Sequence, residues 1–81
     1  MGNVQNGNFH RLLTAEDIGN YVASIGDAYV HYKTLIIKNA IDSELLKCLT
    51  EEEFYQILQE IGITLLSHRK VLYLRYKDIT K

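Results

Sequence analysis

Leu49-Thr50-Glu51-Glu52-Glu53-Phe54-Tyr55-Gln56-Ile57-Leu58-Gln59-Glu60-Ile61-Gly62-Ile63 is the most informative run in the chain. Thr50 and Glu53 have capping-box spacing: the threonine hydroxyl accepts from the Glu53 N–H, and the Glu53 carboxylate accepts from the Thr50 N–H. Leu49, just before the cap, can staple onto Phe54. Phe54, Ile57, Leu58 and Ile61 recur at i, i+3, i+4 and i+7, which places them on one face of a helix. Gly62 supplies the left-handed residue that ends it, and Ile63 folds back over the end.

The same grammar extends to both sides. Towards the N-terminus, Asp42 is placed to cap a short helix that carries Leu45, Leu46 and Leu49 inward. Before it, residues 28–38 read as a helix with Tyr29, Tyr32, Leu35 and Ile36 as its inner stripe and Asn39 at its end. Earlier still, Thr14 and Asp17 form a weaker capping box, Leu13 staples onto Ile18, and Ile18, Tyr21, Val22 and Ile25 share a face. Gly26 is expected to be the left-handed stop of that helix. Towards the C-terminus, a last helix begins near Thr64 or Leu65 and runs to about Asp78, with Leu65, Val71, Leu72 and Ile79 as its apolar side. No stretch alternates with a period of two, and no hairpin dipeptide separates apolar runs. The expectation is an all-α domain of five helices over residues 13–81. Residues 1–12, rich in Gly and Asn, read as a flexible tail whose Phe9 touches the domain.

Composition narrows the class. The chain has 81 residues, 47% of them hydrophobic and 23% charged, enough for one small core and an ordinary soluble surface. A core of this size yields only roughly 3–5 kcal/mol of net stability, so the dense capping signals matter. A net charge of −1 disfavours nucleic acid as the partner. The single cysteine, Cys48, forbids an intrachain disulfide and fits a reducing, intracellular compartment, the cytoplasm first and the nucleus left open. No apolar run reaches the roughly 18–20 residues of a membrane span. Met1-Gly2-Asn3 resembles a myristoylation start, but Asn6 stands where Ser or Thr is wanted.

The chemistry of catalysis is missing. His10, His31 and His68 are far apart and lack a second ligand at metal-site spacing. No glycine-rich phosphate loop, nucleophile elbow or convergent carboxylate pair occurs. Glu51, Glu52 and Glu53 are consecutive and fan around a helix. Cys48 reads as a small core residue. No enzyme activity, no cofactor and no metal are expected.

The order of segments carries a resemblance. Thr14-Ala15-Glu16-Asp17-Ile18, Tyr21-Val22, Ile25-Gly26, Tyr32, Asn39, Ile41-Asp42, Leu45-Leu46, Leu49-Thr50-Glu51-Glu52, Gly62-Ile63-Thr64 and His68-Arg69-Lys70 follow one another. The chain resembles the sterile alpha motif (SAM) family over about residues 13–77. The resemblance implies a five-helix interaction domain of the kind found in signalling and scaffold proteins. Departures are Leu13 where the family usually has Trp, Ser43 and Ser67 where Gly is common, and two extra residues between Gly26 and Tyr32. About one extra turn between Thr50 and Gly62 implies a fourth helix longer than usual.

The resemblance also implies head-to-tail association with another SAM domain, of the same or another protein, between an acidic mid-loop surface and a basic end-helix surface. The mid-loop candidates are Asp42, Glu44, Glu51, Glu52 and Glu53; the end-helix candidates are Leu65, Leu66, His68, Arg69 and Lys70. Acidic residues at helix starts also serve as caps. Cations at the start of the last helix oppose its dipole, so a binding role is the better account of Arg69 and Lys70, while His68 reads as a partly buried helix-start residue. Opposite charges are expected at opposite poles, which would let a homo-oligomer grow as an open filament. Rival readings are a monomeric spacer or regulatory module, and an RNA-hairpin binder using Arg69, Lys70, Arg75 and Lys77.

Overall fold

The computed structural model describes residues 12–79. The proposed myristoylation start, and most of the tail with Phe9, lie outside the described residues. The order is α1 (Ala15–Ala23), a 3-10 turn (Asp27–Tyr29), α2 (Tyr32–Lys38), α3 (Ser43–Leu46), α4 (Glu51–Glu60) and α5 (Leu66–Ile79). No strand occurs among the described residues.

The helix starts follow the capping logic. Thr14 and Asp17 exchange both bonds at 3.0 Å, Thr50 and Glu53 do so at 3.0 and 3.1 Å, and Asp42 accepts from the Leu45 N–H at 2.9 Å. Two helix ends are Schellman turns. After α4, Gly62 adopts φ 115° and the Ile63 N–H donates to the Leu58 carbonyl at 2.9 Å. After α2, the same geometry falls on Ala40, at φ 55°, with the Ile41 N–H donating to the Ile36 carbonyl at 3.0 Å. Left-handed backbone strains alanine by about 1–2 kcal/mol, and glycine gives back about half of any gain as entropy. Ala40→Gly is therefore expected to stabilise the domain by about 0.5–1 kcal/mol, read as a rise of a few degrees in the thermal midpoint.

Four local expectations are corrected. Gly26 is not a left-handed stop; its backbone is extended, φ 165°, and α1 ends at Ser24, whose hydroxyl donates to the Tyr21 carbonyl at 2.6 Å. The single helix over 28–38 is two pieces, a 3-10 turn and α2, which bend between them so that Tyr29 and Tyr32 both face inward. Cys48 is exposed; it follows the end of α3, and its thiol donates back to the Glu44 carbonyl at 3.3 Å. Leu65 and Ile79 are exposed, and the buried side of α5 is built on Leu72 with Tyr73 and Tyr76.

Every helix contributes to one core: Ile18 and Val22 from α1, Tyr32 and Ile36 from α2, Leu46 from α3, Phe54 and Leu58 from α4, Leu72 from α5, and Ile41 and Ile63 from the turns. Burying each such side chain contributes about 1.5–3 kcal/mol. Two further features hold the layers together. At Gly19 an added Cβ would lie 3.0 Å from Lys33 Cγ and 3.3 Å from its carbonyl, so glycine lets α1 approach α2 closely. Ser43, buried at the start of α3, accepts from the Leu13 N–H at 2.8 Å and donates its own N–H to the Leu13 carbonyl at 3.0 Å. This clamp ties the entry of α1 to α3.

Candidate protein-docking surface

The Schellman turn at Gly62 sends the chain through buried Ile63 into α5, whose first turn carries the end-helix candidates. Its sides divide by the helical repeat. Leu66, Lys70 and Leu74 stand at i, i+4 and i+8 on the outer side. Leu65, Leu66 and Leu74 are 55%, 54% and 66% exposed. Large aliphatic side chains so exposed, beside a lysine, make a surface suited to a protein partner.

The three basic candidates have different surroundings. His68 is half-buried; Nδ1 shares a 2.7 Å hydrogen bond with the Tyr32 hydroxyl, and its ring lies 4.4 Å from that of Tyr29. This agrees with its reading as a helix-start residue in the packing. Arg69 is also half-buried and turned onto its own domain. Its Nη1 donates to the Tyr55 carbonyl at 3.4 Å and its Nη2 to the Thr64 carbonyl at 3.2 Å. Its Nε is buried without a partner. Arg69 thus ties the start of α5 to α4. Lys70 is exposed, and its ammonium stands 5.7 Å from the centre of the Tyr55 ring.

The acidic candidates divide as well. The carboxylates of Asp42 and Glu53 are engaged as caps, accepting from the Leu45 and Thr50 N–H groups. Glu44 and Glu52 are exposed. Glu51 accepts the Tyr55 hydroxyl at 2.8 Å. Tyr55 therefore has a carboxylate at its hydroxyl and a lysine over its ring, and it touches Tyr73 at 5.5 Å. Glu51 and Lys70 flank one side chain and do not occupy opposite poles. Sequence reasoning passed over Tyr55, although the i, i+4 spacing of Glu51 and Tyr55 was visible. It also passed over Leu74.

Tyr32, Tyr55 and Tyr76 hold their protons strongly. Burial raises the Tyr55 phenol above its ordinary value of 10.0, helped by the hydrogen bond and charge of Glu51. Burial likewise raises Tyr32 and Tyr76. The native state binds these protons more tightly than the unfolded chain, whose tyrosines titrate near 10. Their contribution is complete below about pH 10 and is lost as pH rises through the higher native values. Stability to urea is therefore expected to fall above about pH 10, and Tyr32→Phe, Tyr55→Phe or Tyr76→Phe each to flatten part of that fall.

Among the described residues no three His, Cys, Asp or Glu side chains come together to hold a metal. No described helix is long and apolar enough to cross a membrane. An apolar cleft of about 30 Å³ is lined by Ile18, Val22, Phe54 and Leu72 together with Tyr21 and Arg75; it has room for roughly two waters.

A family model described as SAM domain (Sterile alpha motif) matches residues 12–78. No curated protein matches the chain, and no solved structure does.

Proposed function

Because the chain belongs to the sterile alpha motif family, a family of protein-interaction modules, we propose that it docks or clusters the protein carrying it by SAM–SAM contact. The end-helix surface of one domain meets the acidic mid-loop surface of another. The observation that carries this reading is the pair of exposed leucines, Leu65 and Leu66, beside the exposed Lys70 at the start of α5. The leucines supply apolar contact, and Lys70 supplies steering and choice of partner. Arg69 acts here as a positioning residue, since its guanidinium lies against carbonyls of its own domain. Glu44, Glu51 and Glu52 are the carboxylates offered in return, and Asp42 and Glu53 support them as caps.

The test is surface plasmon resonance of the immobilised domain against itself and a panel of SAM domains with acidic mid-loop surfaces. Binding to at least one is expected, with a Kd on the order of micromolar, and Leu66→Asp combined with Lys70→Glu reduces it at least tenfold with the helical circular dichroism unchanged. No binding to any, itself included, overturns the reading. Binding to an RNA hairpin instead, falling steeply with salt, assigns the surface to nucleic acid.

A further inference from the structure

We propose that the face built on Glu51, Tyr55 and Lys70 is self-complementary, and that two copies of this domain pair across it about a twofold axis. The inference rests on the docking reading above and adds the identity and symmetry of the partner. Glu51 and Lys70 both contact one tyrosine, Glu51 at 2.8 Å from its hydroxyl and Lys70 at 5.7 Å from its ring centre. Among the described residues neither is engaged in an ion pair. A carboxylate has about four acceptor sites, and the Tyr55 hydroxyl uses one of those on Glu51. Both charges therefore remain available to a neighbour, and both lie on the same face.

That placement selects the symmetry. In an open head-to-tail filament, the acidic and basic patches must receive two different neighbours at once, which requires separated patches. Here a neighbour seated on Lys70 also covers Glu51. A twofold rotation near Tyr55 places Lys70 of each copy against Glu51 of the other, so two opposite-charge contacts form together and the pair closes. The exposed Leu66 and Leu74 stand one turn to either side of Lys70 along α5. Tyr55 stands at the centre, where an amphipathic aromatic contributes most. The charges that hold the pair are exposed and screened by salt, so the pair is salt-sensitive.

Sedimentation equilibrium tests the proposal at rising protein concentration and low salt. The average mass is expected to rise to twice the chain mass and stop. Glu51→Lys and Lys70→Glu each weaken pairing at least tenfold. An equimolar mixture of the two variants pairs again, because each contact then joins opposite charges. The double variant Glu51→Lys with Lys70→Glu also pairs, again with a limit of two. Circular dichroism confirms that each variant is folded. Mass that grows past two overturns the twofold pair and leaves the docking reading standing as an open chain. A wild-type domain that stays single at every concentration, or a pair that survives either single reversal undiminished, also overturns it, while binding to another SAM domain is judged by its own measurement.

Discussion

Ile63→Ala is expected to lower the unfolding free energy by about 2–5 kcal/mol, read as a shift of the urea midpoint with little change of slope. Ile63 is fully buried, 0% exposed, and lies immediately after the turn that joins α4 to α5. Its N–H is held by the Leu58 carbonyl, so the backbone cannot move in to fill the space that truncation leaves. The loss therefore includes both the transfer of the removed carbons and the cavity. Against a total on the order of 3–5 kcal/mol, that loss is a large share of the domain's stability at 25 °C. Ile63→Val, which keeps most of the volume, should cost about 0.5–1.5 kcal/mol. Equal midpoints for wild type and Ile63→Ala would show that this junction is not part of the cooperative core.

Gly62→Val is expected to cost about 2–3 kcal/mol, from a left-handed penalty of about 1–2 kcal/mol increased by branching at Cβ. The φ of 115° is one that a β-branched residue rarely adopts, and a Cβ there would lie 3.3 Å from Leu35 Cδ1. The consequence reaches the docking surface, because this turn sets how the chain enters α5. The Thr64 carbonyl that receives Arg69 is two residues further on. Thermal unfolding should place Gly62→Ala between wild type and Gly62→Val. A valine variant with the wild-type midpoint would mean that the turn can be made without a left-handed residue.

The fold was legible to the extent that it is local. The Thr14, Asp42 and Thr50 caps, the Gly62 stop and the inner stripes of α1 and α4 all depend on residues no more than about four positions apart. The failures follow from the same limit. Gly26 has the composition of a stop, but α1 ends two residues earlier on a serine that bonds its own backbone. Ala40 carries the second left-handed turn although its side chain gives no signal, because the packing of Ile36 and Ile41 holds the backbone there. Cys48 was read from its usual burial, yet the chain leaves the core at the end of α3 before reaching it.

The candidate surface was half legible. The charge of Lys70 at the start of α5 is visible in the sequence, because the start of a helix after a glycine stop can be counted, whereas Leu65 has the spacing of the apolar side and is exposed. The fate of Arg69 cannot be counted. Its neighbours, the carbonyls of Tyr55 and Thr64, are 14 and 5 residues away, and only the packing of α5 on α4 brings them within reach.

Taken alone, the sequence determined that the domain is helical, where α1, α3 and α4 start and where α4 ends, since each rests on short-range spacing of caps, apolar stripes and glycine. The tertiary structure decided which side of α5 is covered, why Gly19 and Ser43 are what they are, and that Glu51 and Lys70 meet at one tyrosine. Those outcomes depend on where one helix lies against another. That is set by the shape of the shared core, and no local spacing encodes it.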